Sequence, residues 1–326
     1  MRHLMQGRIV TVAAGLAVAL GLHLPAWADY PVRPVTVIVS DQAGGPGDIV
    51  ARTLGKILGD SLKQPVLVEN RPGAYGSLGL AAVARAKPDG YTLGVIFMPH
   101  TASQTLFKGT PYNLRKDFAP LAKVADLSNV LVVNKSVPAK TPTELAAYAK
   151  GRPGQMNFGS GSTGSPSHLS GELFKRQAGI DAAHVPFKGP VDAVTNLIGG
   201  RVDFMFLSMP VAMPMIKADK LTALAVTGTR SSSALPGVPT MSQAGFKDFV
   251  VLDWMGFVAP AGTPTAVVDR LAAELQKAVA APEYRDRVAA LGIEAGYGSP
   301  MELGGLIDRE VSKWEQFIGQ IGLSLE

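Results

Sequence analysis

The stretch Gly159–His168, "GSGSTGSPSH", combines glycines, hydroxyl side chains and a histidine, which are residue types that bind anions or carry nucleophiles. It contains the pattern G-x-G-x-x-G of dinucleotide-binding loops. Such a site requires the loop in the first strand-to-helix turn of the nucleotide-binding unit, and an acid at the end of the next strand. Here the loop is central in the chain, and Asp181 precedes the next strand, "AAHVPF", rather than ending it. The pattern therefore does not favour a dinucleotide site.

Sequence patterns for other chemistry do not support catalysis either. The one Gly-Lys pair, Gly55-Lys56, is not followed by Ser or Thr as a phosphate loop requires, and no G-x-S-x-G elbow occurs. The absence of cysteine excludes disulfides, thiolate nucleophiles and sulfur-ligated zinc. Beyond the first 28 residues the histidines are His100, His168 and His184, which are too dispersed in sequence to suggest a metal cluster. We expect no enzyme activity, no metal and no cofactor.

Two glycine-rich loops instead have the properties of a site for a small anion. A loop that enters the first turn of a helix presents free backbone N–H groups and the positive end of the helix dipole. The stretch 159–168 does this before "LSGELF", and "AGGPGD" at Ala43–Asp48 does it before "IVARTL". Neither loop contains Lys or Arg, so a carboxylate is favoured over a multiply charged phosphate. Taken one at a time, the glycines are equally well explained as turns and the hydroxyls as helix caps.

The first 28 residues have the organisation of a secretory signal peptide. Two arginines accompany an apolar run over 9–22, and Ala26-Trp27-Ala28 supplies a small-x-small cleavage pattern. The apolar run is shorter than the roughly 20 residues that a membrane-spanning helix needs. We therefore expect cleavage after Ala28, a mature chain that starts at Asp29, and export of the protein.

The charge of the chain is mild. The 31 Lys and Arg against 26 Asp and Glu give a net charge of +5, and removal of the leader with its two arginines leaves +3. No block of basic residues occurs, so nucleic acid is not an expected partner.

Strand-like and helix-like segments alternate along the mature chain, which is typical of a parallel sheet with crossover helices. Thr141 with Glu144, and Ser299 with Glu302, have the capping pattern that predicts helices from Pro142 and from Pro300.

The same pattern predicts two α/β lobes. Lobe one is 29–130 plus 255–326 and lobe two is 131–254, with two crossovers between them. Asp48 and Asp203 then belong to different lobes, which argues against an acid/base pair.

Several segments together carry a family resemblance. They are "YPVRPVTVIV…AGGPGDIVAR", "QPVLVENRPGAYGSLG", "ARAKPDGYTL", "GSGSTGSPSHLSGELF", "VPFKG", "NLIGGRVDFMF" and "FVAPAGTP". In unbroken order from Tyr30 onwards, the chain resembles the substrate-binding receptors of tripartite tricarboxylate transporters, the Bug family. The resemblance implies a two-lobed periplasmic-binding-protein (venus-flytrap, type II) fold that binds small, usually carboxylated molecules as a monomer. It also implies a periplasmic location and delivery to a membrane permease with a large and a small subunit, without catalysis.

The resemblance further implies which positions face the ligand. In lobe one these are Ala43, Gly44, Gly45 and Asp48 of the first loop, and Ala74, Tyr75 and Gly76 after "ENRPG". In lobe two they are Ser160, Gly161, Ser162, Thr163, Gly164, Ser165 and His168, with Lys188, Gly189 and Asp203 at the remaining cleft positions. The first loop would hold water molecules that bridge to the ligand carboxylate. For Asp48 and Asp203, helix capping or loop bracing is as good an explanation as direct contact with the ligand. For Lys188, a solvated surface position is an equally good explanation. His168 is expected to be a neutral brace of its loop.

Three departures from the family pattern leave the ligand open. Ser40-Asp41-Gln42 stands where Pro-Phe is usual, Pro190 and Asp192 alter the segment after "FKG", and Leu207-Ser208 stands where an aspartate is common. An acid at Asp41 would disfavour polyanions and would suit an amine or an amide. Nothing in the sequence identifies the hand-over partner, so an alternative is a ligand-sensing adaptor of the same fold for a two-component signalling system.

Overall fold

The computed structural model describes residues 30–73, 76–232 and 234–325. The predicted leader at 1–28 and the predicted ligand residues Ala74 and Tyr75 lie outside these ranges. The strands are β1 Val35–Val39, β2 Val66–Asn70, β3 Thr92–Phe97, β4 Phe118–Asn134, β5 Met156–Ser160, β6 Ala182–Pro186, β7 Phe204–Ser208, β8 Leu221–Val226, β9 Leu252–Pro260 and β10 Glu294–Gly298. The helices are α1 Pro46–Leu62, α2 Ser77–Ala84, α3 Met98–Leu106, α4 Pro142–Lys150, α5 Pro166–Ala178, α6 Pro190–Ile198, α7 Met209–Lys217, α8 Thr265–Ala280, α9 Pro282–Ala289 and α10 Pro300–Ile321.

These strands form one sheet whose two halves meet on the long strand β4. In the first half β1 is parallel to β2 and β3, and β9 is antiparallel to β3 and β4. In the second half β5 is parallel to β6 and β7, whereas β7 and β8 are antiparallel to β4. Along β4 the pairing with β9 ends at Ser128 and the pairing with β7 begins at Asn129. The predicted two-lobed α/β fold is confirmed, and the residue limits given above for each lobe stay a prediction.

Both glycine-rich loops lie at the carboxyl ends of parallel strands. β1 ends at Val39 and the chain enters α1 at Pro46, and β5 ends at Ser160 and the chain enters α5 at Pro166. Ligands of open α/β sheets bind beyond the carboxyl ends of the strands, where helix N-termini point. The fold therefore places both loops where a ligand site is expected.

The predicted helix caps are present in the structure. The side chain of Thr141 accepts a hydrogen bond from the backbone N–H of Glu144 at the start of α4. Ser299 and Glu302 form a reciprocal capping box at the start of α10, and Gly322 ends this helix with φ +64°. A positive φ costs glycine little, so the stop at Gly322 is encoded locally.

Three elements were not predicted, namely α3, α7 and β10. Both missed helices begin directly after a strand, without the polar loop that usually announces a helix, and α7 contains Pro214 in its interior. A proline inside a helix normally argues against it, since it removes a backbone donor. β10 pairs with the lobe-one part of β4, far away in sequence, and tertiary pairing of this kind leaves little local signal.

Within the described ranges, no helix is both long and apolar enough to cross a membrane.

Candidate functional site

The lobe-two loop, Ser160–Ser165, is held in place by its own hydroxyl groups. The hydroxyls of Ser160 and Ser165 both donate to the backbone oxygen of Ser162, over 2.9 and 2.7 Å. Ser165 also caps α5 by accepting from the backbone N–H of His168, over 3.3 Å. By contrast, the hydroxyls of Ser162 and Thr163 and their backbone N–H groups have no hydrogen-bond partner in the described part of the chain. The loop is therefore braced from inside and keeps four donors free at the N-terminus of α5.

A stacked pair of imidazoles supports this loop. His168 Nδ1 accepts from the backbone N–H of Gly164 over 2.9 Å, and the rings of His168 and His184 lie 3.8 Å apart. His184 Nε2 lies 2.7 Å from the Ser160 hydroxyl oxygen, and it is the donor because that hydroxyl donates to Ser162. The sequence-based reasoning missed His184. The pairing of β5 with β6, which sets Phe158 opposite His184, was the signal that could have found it.

Both imidazoles are neutral. Burial lowers the pKa of His168 to about 3, with further contributions from His184 and Lys175. Burial and Lys175 lower the pKa of His184 to about 4. In the part of the chain that the structure describes, no cluster of three metal-ligating side chains occurs. The two neutral histidines therefore brace the lobe-two loop, and Nδ1 of His168 acts as a hydrogen-bond acceptor.

We expect both rings to stay in the neutral form with hydrogen on Nε2 from pH 8 down to about pH 5, because both pKa values lie well below the ordinary 6.5. Long-range ¹H–¹⁵N NMR spectra of the mature protein would report tautomer and titration together. A His184→Asn variant assigns the signals. A ring that titrates near pH 6.5 would contradict the bracing interpretation.

The predicted residues Lys188 and Gly189 lie beside the lobe-two loop. A methyl group at Gly161 would stand 3.2 Å from Pro190 N and 3.3 Å from Gly189 C, which is tight backbone packing. The backbone N–H of Phe187 donates to the Ser160 oxygen over 2.9 Å. Lys188 is exposed. The two segments therefore form one surface, in which Gly161 is needed for close approach.

The first loop, Ala43–Asp48, is organised around the carboxylate of Asp48. This carboxylate accepts from Gly44 N, Asn70 Nδ2 and Arg52 Nε, each over about 2.9–3.0 Å. Burial acts to raise the pKa of Asp48, but the hydrogen bonds from Arg52, Gly44 and Asn70 outweigh it and hold the pKa below its ordinary value. With these partners Asp48 braces the entry to α1. The turn in front of it consists of Ala43 and Gly44, which are exposed, and Gly45, which is half-buried.

Asp203 lies away from both loops. It precedes β7, where its carboxylate accepts from the backbone N–H of Asn157 over 2.7 Å. Asn157 is near the amino end of β5, whereas the lobe-two loop follows the carboxyl end of that strand. The structure thus does not bring Asp203 to the other predicted residues.

A cavity of about 260 Å³, called the lobe-one cavity below, lies at the N-termini of α1, α2 and α3. Asp253, which lines it, falls just inside the predicted limits of lobe two, but it pairs with Leu127 of β4 in the first half of the sheet. The lining of the cavity includes Ser40, Asp41, Gly76, His100 and Asp253. Of the predicted ligand residues that the structure describes, only Gly76 contributes to this lining. The other predicted ligand residues belong either to the first loop, next to the cavity, or to lobe two.

The lobe-two loop contacts the far end of α3. A methyl group at Gly164 would stand 3.0 Å from Leu106 Cδ1, and Leu106 is the last residue of α3. The start of α3, with His100, borders the cavity. The helix rises about 12 Å from its first to its last residue. The loop and the cavity are therefore neighbouring sites separated by about the length of one short helix.

Residues 50–323 match the tripartite tricarboxylate transporter family receptor. The protein BugT of Bordetella pertussis is 34% identical over 322 residues, which cover 98% of this chain and 99% of BugT. The periplasmic binding protein BugD is similar in structure, with a TM-score of 0.76 and 33% identity over 91% of this chain and 100% of its own. MatC from Rhodopseudomonas palustris with bound malate gives a TM-score of 0.75 and 34% identity, covering 89% of this chain and 100% of MatC.

These similarities extend over both lobes and most of the chain, and they fit a solute-binding protein with a site beyond the strand ends. The chain belongs to the family of tripartite tricarboxylate transporter receptors, the Bug family.

Proposed function

We propose that this protein binds a small organic solute through a carboxylate group in the periplasm and delivers it to the large and small membrane subunits of a tripartite tricarboxylate transporter. Membership of the receptor family supports the transport role, and the periplasmic binding protein BugD supports the location. The malate bound by MatC supports a carboxylate as the recognised group. The proposed role is binding, without catalysis, by a chain that starts at Asp29.

The observation that carries this proposal is the set of free donors on the lobe-two loop. The hydroxyls and N–H groups of Ser162 and Thr163 lie at the N-terminus of α5, a helix of 13 residues, and have no partner among the described residues. A carboxylate is the small group that accepts several such hydrogen bonds at once, and the helix dipole favours its charge. No lysine or arginine belongs to the loop, so one negative charge is a better match than several.

The solute would lie between the lobe-two loop and the cavity of lobe one. In this proposal lobe one comprises 29–130 plus 255–326 and lobe two comprises 131–254. β4 passes from one half of the sheet to the other at Asn129, so rotation there would bring the two halves of the site together. A solute that contacts both lobes would favour the closed arrangement.

Replacing Ser162 with alanine tests the carboxylate contact. Loss of one hydrogen bond to a charged group costs roughly 1.5–3 kcal/mol, so we expect affinity to fall about tenfold to 150-fold. A thermal-shift screen of carboxylates selects the ligand, since a ligand at 100 times its dissociation constant adds about 2.7 kcal/mol. Calorimetry then measures the affinity of the variant.

Ser242→Ala is the matched control, because Ser242 is exposed and its hydroxyl has no partner in the described ranges. It should bind like the natural protein. Unchanged affinity in both Ser162→Ala and Thr163→Val would show that neither hydroxyl binds the carboxylate. Unchanged affinity in Gly161→Val as well, which displaces the backbone donors, would show that the carboxylate does not bind at this loop.

A further inference from the structure

The lobe-one cavity has two acidic side chains and no basic one. Asp41 lies two residues after the end of β1, and Asp253 lies in β9, so two distant segments bring their carboxylates to the same cavity. No lysine or arginine occurs among the described residues that line it. This arrangement is opposite in charge to what a polycarboxylate would require.

Several polar groups at the cavity have no partner in the described part of the protein. Oδ1 of Asp253 and Oγ of Ser40 are buried without a hydrogen bond. His100 is only 2% exposed, and its Nδ1 accepts from the backbone N–H of Phe97 over 2.9 Å. Its hydrogen is therefore on Nε2, which has no partner either. Buried polar groups are normally satisfied, so their convergence on one cavity indicates a polar ligand group.

The two carboxylates differ in how firmly they are held. Asp41 accepts from the backbone N–H groups of Gln42 and Gly47, over 2.8 and 3.2 Å, which fixes its orientation at the start of α1. Burial raises the pKa of Asp41, against the lowering effect of these two hydrogen bonds. Burial, and next the charge of Asp41, raise the pKa of Asp253 to about 7. Asp253 is therefore a carboxylate without a compensating partner.

The other titratable groups near these acids do not supply a positive charge. Burial lowers the pKa of His100 to about 4, so its ring is neutral at physiological pH. Asp48 lies behind Asp41 and acts to raise the pKa of Asp41. Arg52, on the same helix, is engaged by Asp48 and Asn70. Any compensating charge in the cavity has to come from a bound molecule.

We propose that the cavity holds a protonated amino group of the solute, with the carboxylates of Asp41 and Asp253 as its hydrogen-bond acceptors. An ammonium group has three donors, which match these carboxylates and the Ser40 hydroxyl. This inference rests on the proposed function, in which the lobe-two loop binds the carboxylate of the same solute. The substrate class is then a small amino carboxylate whose two charges lie at opposite ends.

The sign of the pH dependence separates this ligand class from a dicarboxylate. An ammonium group binds the ionised form of Asp253, so binding at pH 7 and below releases a proton. With the pKa of Asp253 at about 7, affinity should rise about 30-fold from pH 5.5 to pH 8. A second ligand carboxylate would bind the protonated form, and its affinity would fall over the same range.

The experiment uses three length-matched sets of probes with the mature protein. The first set contains the amines ω-aminobutanoate, ω-aminohexanoate and ω-aminooctanoate. The second set, succinate, adipate and suberate, has a carboxylate in place of the amino group. The third set consists of the monoamides of these three diacids, which have an amide there. Calorimetry at pH 5.5 and pH 8, in buffers of different ionisation enthalpy, gives affinity and proton release. We expect the best amine to bind at least tenfold tighter at pH 8 than its matched diacid and monoamide.

The variants assign the effect to the two acids. Removal of one partner of a buried charge pair costs about 2 kcal/mol or more, so Asp253→Asn should weaken amine binding at least about 30-fold and abolish proton release. Asp41→Asn should act in the same direction. If loss of the Asp41 carboxylate at the start of α1 unfolds the protein, the Asp253→Asn variant alone tests the amine proposal. Asp60→Asn, at an exposed position of α1, is the charge-matched control and should bind amines normally.

The outcomes for the two proposals are distinguishable. Tighter binding of a diacid or a monoamide, with loss in Ser162→Ala, would overturn the amine proposal and leave the carboxylate function standing. Amine binding that depends on Asp253 but not on Ser162 would support the amine proposal and contradict the proposed carboxylate contact. Absence of binding by all nine probes would overturn both.

Discussion

Replacement of Asp253 by asparagine is expected to raise the free energy of unfolding by about 2–3 kcal/mol at pH 8 and to change it little at pH 4. Burial raises the pKa of this carboxyl from 3.8 to about 7, and the neighbouring Asp41 adds to the rise. At pH 8 the native protein therefore contains a buried charge that the unfolded chain exposes to water. A rise from 3.8 to about 7 corresponds to about 4 kcal/mol. Water in the adjoining cavity reduces this value, because it can solvate part of the charge.

The difference between variant and natural protein should follow the titration of Asp253. Between about pH 4 and pH 7 the native state binds more protons at this residue than the unfolded state does, so the carboxyl lowers stability as pH rises through that window. Asparagine does not titrate, and the gain should level off above pH 7. The lowered pKa values of His100, His168 and His184 have the opposite effect, since they make stability fall as pH decreases below about 6.5. That trend is common to both proteins and cancels in the comparison.

Urea unfolding at pH 4, 6 and 8 measures this effect directly. Asp60→Asn removes an exposed acid from α1 and should change stability little at any of these pH values. A gain at pH 8 together with weaker amine binding would identify Asp253 as a residue kept for recognition at the expense of stability. An equal difference in stability between the Asp253→Asn variant and the natural protein at pH 4 and at pH 8 would contradict a raised pKa for this carboxyl.

The local parts of the fold could be predicted because they depend on neighbouring residues. The caps at Thr141 and Ser299 and the stop at Gly322 are set by side chains and glycines within one helical turn. The two loops could be located for the same reason, since each follows a strand and precedes a helix. β10 could not be located this way, because its partner on β4 is distant in sequence.

The chemistry of the site depends on distant pairs, and prediction was correspondingly weaker there. The departure at Asp41 indicated an acid near the ligand, and this residue does line the cavity. Its companion Asp253 had no sequence signal, because only the pairing of β9 with β3 and β4 brings it there. His184 joins His168 through the pairing of β5 with β6. Two of the three histidines, which are dispersed in sequence, are thus stacked in space, whereas His100 lies at the lobe-one cavity.

The second large effect on binding is expected from a substitution at Gly161 in the lobe-two loop. Gly161→Val is expected to weaken binding of the best carboxylate at least about 100-fold, which is about 2.7 kcal/mol. A Cβ atom at this position would stand 3.2 Å from Pro190 N and 3.3 Å from Gly189 C. Both neighbours are backbone atoms, so they cannot rotate away as a side chain would. The branched side chain of valine would have to push the loop away from the start of α6, and the free donors of Ser162 and Thr163 would move with it.

The cost to folding should be smaller than the cost to binding. Overpacking of a tight contact typically costs about 1–3 kcal/mol, and here the loop can relieve part of it by moving. Gly161→Ala adds only the Cβ atom and should give an intermediate loss of affinity. Gly319→Val is the matched control, since Gly319 lies in α10 with no atom near its added Cβ and without a positive φ. Calorimetry on folded samples compares all three variants. Normal affinity in Gly161→Val would mean that the loop geometry is irrelevant to the solute, and the anion would then have to bind at the N-terminus of α1 alone.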